Sequence, residues 1–224
     1  IWCKRFPWKL GQLKDALSAS QAATAKEGWY PIFFENHDQN RSMHRYFPEG
    51  TDPKVAAKAL ATVLFTLRGT PFVYEGEEIG MTNTAFPKIE DYNDISTHGQ
   101  YEYAIKEGLS PEEALKAVQF QSRDNARTPM QWTRETNADF TTGKPWLPVD
   151  KDFAACCVET ESEDGTSVLS YYRQMNRERT EGKASAILLQ GSYEELLHED
   201  EHVYAFKRVR GEHAAYTVIN FTND

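Results

Sequence analysis

Residues 28–41 read GWYPIFFENHDQNR. The first half is apolar and aromatic, over a length that suits a short buried strand. The second half sets Glu35, Asn36, His37, Asp38, Gln39 and Arg41 almost side by side. Turning a corner does not require acid, amide, imidazole and guanidinium packed behind a greasy strand. The arrangement occurs twice: TPFVY, residues 70–74, is a second short apolar run, and it too ends in polar residues, EGEEIG.

Helical patterns separate and flank these runs. Leu10, Leu13, Ala16 and Leu17 recur at spacings of three and four, and Gly28 ends that pattern. Asp52-Pro53 opens the next helix, with Asp as cap and Pro in the first turn. Val55, Ala56, Ala59, Leu60, Val63, Leu64 and Leu67 give it a broad apolar face, and Gly69 closes it. The order helix, strand, helix, strand predicts an α/β fold with a parallel sheet covered on both faces. In such folds active sites lie beyond the C-terminal ends of the strands, where both polar runs fall.

Beyond residue 80 the pattern loosens. Residues 81–100 read as a long polar loop. Ser110, Pro111 and Glu113 form a capping-box signature ahead of Ala114, Leu115 and Val118. RDNARTPMQW and FTTGKPWLPVD make one long irregular connection, a kind usually functional or disordered, and its four aromatics between Trp132 and Phe153 favour order. A helix is expected over residues 166–179, ending near Gly182. Then SAILLQG, HVYAFKRV and AAYTVINF read as strands, with RGEH as a hairpin turn between the last two. A domain boundary near residue 182 follows, giving an α/β region over 1–182 and an all-β region over 183–224.

Bulk properties exclude several classes. Hydrophobic residues make up 40% of the 224 and aromatics 12%, enough for a core. The net charge is −9, and Lys and Arg form no runs, which argues against nucleic acid. No apolar run approaches the roughly 18 residues of a membrane span. Cys3, Cys156 and Cys157 form no CxxC pair and read as free thiols of a reducing compartment, so a cytoplasmic location is expected. The first residue is Ile1 rather than Met, which leaves a longer precursor open.

Chemistry narrows the reading further. His37 and Asp38 at a strand end suit a grip on substrate hydroxyls, and equally a loop whose Asn36 and Asp38 cap the turn. No HxH, HxxE or ExxH spacing near them supports a metal. Glu75, Glu77 and Glu78 read best as carboxylates capping backbone amides or pairing with arginines. Arg123 and Arg127, four apart with Asp124 between, suit either a two-pronged hold on a ligand or a structural Arg–Asp bridge. Trp132 suits a sugar face or a core. Aromatics mixed with Asp, Asn, Glu, His and Arg fit carbohydrate, and nucleophile elbows, P-loops and dinucleotide fingerprints are absent.

FFENHDQNR, GTPFVYEGEEIGMTN, RDNARTPMQW and FTTGKPW, in that order, resemble the α-amylase superfamily, glycoside hydrolase family 13. They are nearest its oligo-1,6-glucosidase, dextran glucosidase and trehalose-6-phosphate hydrolase group. The resemblance implies the C-terminal part of a TIM (β/α)8 barrel, from helix six through helix eight, followed by the start of a C-terminal β-sandwich. It implies that Asp38 stabilises the transition state and that His37 contacts the same sugar hydroxyls. It implies that an arginine of the RDNARTPMQW motif, Arg123 before Arg127, holds the terminal glucose. With Arg41 of the same polar run, His37, Arg123 and Arg127 are the candidate substrate contacts.

The resemblance also implies what this stretch does not hold. The family's nucleophilic Asp and acid/base Glu follow strands four and five, so the chain by itself is expected to be inactive and to need the preceding part of the barrel. The implied activity of the full-length parent is that of a retaining α-glucosidase acting on oligosaccharides, with no organic cofactor. Any calcium would sit in that preceding part. The competing class is a non-catalytic barrel kept as a partner module, and an Asp and a Glu at the ends of the preceding strands discriminate against it. Asn40 stands where the family often has Pro. Ser96 stands where YRD-x-E relatives carry a Glu linked to α-1,6 preference, which leaves the linkage open.

Overall fold

In the computed structural model, which describes residues 8–222, the chain divides into two compact units. One comprises Trp8–Phe34, Tyr46–Val73 and the chain from Val168 onward. The other comprises Glu35–Arg45 and Tyr74–Ser167. In chain order the elements are α1 (Leu10–Ala23), β1 (Pro31–Ile32), α2 (Ser42–Tyr46), α3 (Pro53–Thr66), β2 (Thr70–Pro71), α4 (Ile95–Lys106), α5 (Pro111–Gln121), α6 (Val158–Glu163), α7 (Val168–Thr180), α8 (Ser185–Gln190), β3 (Ser192–Leu196), β4 (Val203–Arg210) and β5 (His213–Asn220).

In the first unit β1 and β2 pair in parallel, Pro31 opposite Thr70 and Ile32 opposite Pro71. Each strand is two residues long, shorter than the apolar runs suggest. The two prolines explain part of this, since neither supplies an N–H to the ladder. Gly69 turns the chain into β2 at φ +146°, and a Cβ there would fall 2.3 Å from the Tyr30 carbonyl oxygen. Asp52 caps α3 by accepting the Lys54 amide at 2.8 Å. Its apolar face (Ala56, Leu60, Ala61, Val63, Leu64) is buried, and Phe65 meets Tyr172 of α7 edge to face.

Helix ends leave carbonyls without partners, and two buried arginines serve the end of α3. Arg179 donates to Phe65 O at 2.6 Å and Leu67 O at 2.9 Å, and also to Gly69 O. Arg208 donates to Thr66 O and Gly191 O, both at 2.7 Å. Burial pushes both guanidinium pKa values down, that of Arg208 to about 10. The antiparallel sheet runs β3-β4-β5, and Gly211 at φ +61° makes the tight turn between Arg210 and His213. SAILLQG, expected as a strand, is α8 instead. A short apolar run cannot be assigned by period alone, and here Ala and Leu support a helix whose Leu188 is buried.

The second unit corrects another expectation: α4 begins at Ile95, inside the stretch 81–100 read as loop. Only Thr97 and Ala104 of its twelve residues are buried, so it shows almost no apolar stripe. Ala104 packs on Ala114 and Val118 of α5, whose capping box joins Ser110 and Glu113 as expected. The long connection is ordered, but its aromatics do not hold it. Trp132, Phe140 and Trp146 are exposed, while Leu147 is buried against Phe86 and Tyr92. The short helices α2 and α6 carry too few residues to show a period. Among the described residues no helix is long and apolar enough to cross a membrane. Of the cysteines, Cys156 and Cys157 are free thiols, and Cys3 lies outside the described residues.

Candidate functional site

The polar runs that follow β1 and β2 come together within the second unit. The floor is a buried ion pair. Arg41 Nη1 donates to Glu35 Oε2 at 2.9 Å and to Glu75 O at 3.1 Å. The other Glu35 oxygen accepts the Ser42 amide at 2.8 Å and its hydroxyl at 2.7 Å. The Arg41 guanidinium also lies over the Tyr74 ring, 5.5 Å from its centre, and the Tyr74 hydroxyl donates to Ala126 O at 2.9 Å. This ties the first polar run, the second and the RDNAR stretch into one block.

Arg41 was expected beside a substrate. Its side chain is 1% exposed, so it supports the site from beneath. Two of the three glutamates also have structural partners nearby: Glu77 accepts the Tyr74 amide at 3.1 Å and Glu78 the Gly76 amide at 2.8 Å. Burial raises the Glu78 pKa.

Above the floor His37 and Asp38 are open to solvent, with side chains 70% and 53% exposed. Asn36 Oδ1 accepts the Asp38 amide at 2.9 Å, making the turn, and the turn presents the Asp38 carboxylate outward. Asp38 Oδ1 accepts from Arg123 Nη1 at 3.3 Å and Arg127 Nη2 at 3.2 Å, while Oδ2 lies 3.3 Å from His37 Nε2. Arg127 Nε donates to His37 O at 2.8 Å, locking the turn to the RDNAR stretch. His37, Asp38, Arg123 and Arg127, read from motifs more than eighty residues apart, therefore form one cluster.

Two residues of the cluster carried little signal in the sequence. Asp94, the cap of α4, takes Arg123 on both carboxylate oxygens, Nη2 at 2.5 Å and Nε at 3.2 Å. Burial pushes its pKa up, but hydrogen bonds from Arg123, Thr97 and the Ser96 amide outweigh that and hold it below the usual value. Asp124 sits beneath, its Oδ2 accepting the Asn93 amide at 2.7 Å and the Asp94 amide at 2.8 Å. The sequence reads Asp124 only as a bridge partner for Arg123 or Arg127, and it does not single out Asp94. Only the Asp-before-helix cap signature could have singled out Asp94. Among the described residues no three His, Cys, Asp or Glu side chains are placed to hold a metal ion together.

Short parallel strands running into an outward-facing carboxylate, an imidazole and two arginines define an α/β protein with its polar site in the loops after the strands. The family model for the α-amylase catalytic domain matches residues 3–191, and the chain belongs to that family. It is 39% identical over 217 residues to an oligo-1,6-glucosidase of Parageobacillus thermoglucosidasius, covering 96% of this chain and 38% of the relative. Against a trehalose-6-phosphate hydrolase of Bacillus subtilis identity is 36%, with 96% and 38% covered. The crystal structure of Bacillus licheniformis trehalose-6-phosphate hydrolase superposes with a TM-score of 0.90 at 35% identity, over 96% of this chain and 38% of that one. A trehalulose synthase structure gives a TM-score of 0.88 at 37% identity, over 96% and 39%. The expected fold is borne out: these residues are part of a TIM barrel, followed by an antiparallel sheet. The chain spans about 38% of the length of the curated relatives it matches.

Proposed function

We propose that the full-length parent is a retaining α-glucosidase. It releases glucose from the non-reducing end of short α-glucosides such as isomalto- or malto-oligosaccharides. The observation that carries this is the half-exposed Asp38 carboxylate, held by Arg123 and Arg127 beside His37. A planar acceptor flanked by fixed donors suits vicinal sugar hydroxyls, and its hydrogen bonds strengthen as the oxocarbenium-like transition state draws charge from the ring. Similarity to oligo-1,6-glucosidases supports the same substrate class.

In this reading the chain supplies one wall of the glucose pocket. Retaining hydrolysis needs two carboxyl groups about 5 Å apart across the bond. The nucleophile, the acid/base and any bound calcium belong to the part of the parent that precedes Ile1, and the barrel closes only with that part. Residues 183–224 begin the C-terminal β-sandwich, which fits an antiparallel sheet starting at Ser192. The parent is cytoplasmic and uses no organic cofactor, nucleic acid or membrane.

The test is an assay of the full-length parent on isomaltose, maltose, sucrose and trehalose-6-phosphate. Release of α-configured glucose from isomaltose or maltose is expected. Hydrolysis of trehalose-6-phosphate alone would move the assignment to a phosphosugar hydrolase, and no hydrolysis of any of them would favour a partner module.

A further inference from the structure

Three carboxylates and two guanidiniums share this cluster, and they are not equivalent. Asp38 is open to solvent, whereas Asp94 is 2% exposed. Arg123 spends Nε and Nη2 on Asp94 and leaves only Nη1 for Asp38. A guanidinium has a second edge, Nη1 with Nη2, that could also take a carboxylate two-pronged. Pinned on Asp94 through Nε and Nη2, Arg123 is held where only Nη1 comes within hydrogen-bond reach of Asp38.

Asp94 is itself fixed from several sides. Thr97 Oγ1 donates to its Oδ2 at 3.0 Å, and the Ser96 amide donates to its Oδ1 at 3.2 Å. Asp124 holds the backbone amides of Asn93 and Asp94 from below. Arg127 Nη1 stands 4.0 Å from Asp94 and 3.8 Å from Asp124, while its Nη2 reaches Asp38. The order is therefore a rigid buried acid, a guanidinium clamped to it, and an exposed acid touched by one donor of Arg123 and one of Arg127.

We propose that Asp94 is a positioning residue that keeps Arg123 from forming a two-pronged pair with Asp38, so that the Asp38 carboxylate stays free to accept substrate hydroxyls. Asp94 touches neither substrate nor reacting atoms. Without its charge, Arg123 turns its fork to Asp38, and a sugar must break that pair before it binds. The cost falls equally on the bound ground state and the transition state, so KM rises while kcat holds. This rests on the assignment of Asp38 to the glucose pocket.

A second role of Asp94 has to be kept apart, because it also caps α4. Asn and Ser cap helices about as well as Asp. Asp94→Asn and Asp94→Ser therefore preserve the cap while removing the charge, and Ser is also too short to reach Arg123. In the full-length parent, each variant that folds cooperatively is expected to raise KM for isomaltose or maltose on the order of tenfold, the weight of one added charge-assisted hydrogen bond. Its kcat stays within about twofold. Asp94→Glu, which restores the charge, recovers part of the loss. Unchanged KM, or equal losses in kcat and kcat/KM, would overturn the inference. If the asparagine protein does not fold, the serine protein decides.

A crystal structure of the Asp94→Asn parent gives a second arm. Both prongs of Arg123 should lie on Asp38, and an Arg123 left where it is now would overturn the proposal. A parent with no glucosidase activity would sink the function assigned above and leave this crystallographic arm to decide the role of Asp94.

Discussion

The Arg41 guanidinium lies 2.9 Å from the Glu35 carboxylate, and both side chains are almost completely withdrawn from water. Six residues apart in sequence, they form the underside of a loop whose upper side is the exposed Asp38. Removing one member of a buried pair leaves the other charge uncompensated, at a cost of about 3–5 kcal/mol. Glu35→Ala in the full-length parent is expected to lose stability of that order in denaturant unfolding. A loss below about 1 kcal/mol would mean that water reaches Arg41.

Asp38→Asn keeps the shape of the side chain and removes the charge that the transition state recruits. In the parent kcat is expected to fall on the order of a hundredfold or more, with KM changed far less. This is the opposite pattern from Asp94→Asn, so the two substitutions together separate a group that acts on the sugar from one that acts through Arg123. Steady-state rates on isomaltose or maltose read the difference, and an unchanged kcat would remove Asp38 from the transition state.

Gly69 turns the chain into β2 at φ +146°, where an added Cβ would sit 2.3 Å from Tyr30 O and under 3 Å from the Ile32 side chain. Neither backbone nor a buried isoleucine yields easily. Gly69→Ala is expected to destabilise the parent by about 2 kcal/mol or more, by thermal or chemical unfolding. Gly143→Ala is the control: its Cβ would meet only Thr141 Oγ1 at 3.7 Å, and the cost should stay within about 0.5 kcal/mol.

Asp94 also gives a pH signature. Its folded pKa is below the ordinary value, so the folded state favours the ionised form. The stability it contributes is fully present above the unfolded pKa of about 3.9. It is lost as pH falls through the depressed folded value. The stability gap between the parent and its Asp94→Asn variant should therefore be constant near neutrality and shrink only below about pH 4. A gap that closes between pH 6 and 8 would point to a different group.

How far the sequence carried this reading varies by element. Asp52, Pro53 and the apolar face of α3 were legible because cap chemistry and a period of 3.6 are local properties. So were the Ser110–Glu113 box and the Gly211 turn. The helix α4 was not legible, because a helix that buries only Thr97 and Ala104 has no stripe to find. The strand expected at SAILLQG failed for the related reason that six apolar-rich residues suit either period. Of the site, His37, Asp38, Arg123 and Arg127 were all named from the chain. Arg41 was named for the wrong side of the loop, since composition does not tell whether a charge points up or down.

By itself the sequence determined the alternation of helices and short apolar runs, the polar residues behind those runs, and the family. Each of these rests on local pattern, which is written residue by residue. Only the tertiary structure decided that Arg123 and Arg127 meet Asp38, that Glu35 takes Arg41 out of reach, and that Arg123 sets two of its donors on Asp94. Those are pairings between opposite charges brought together by folding. With several acids and arginines in reach of one another, which pair forms depends on distance, direction and burial rather than on residue type.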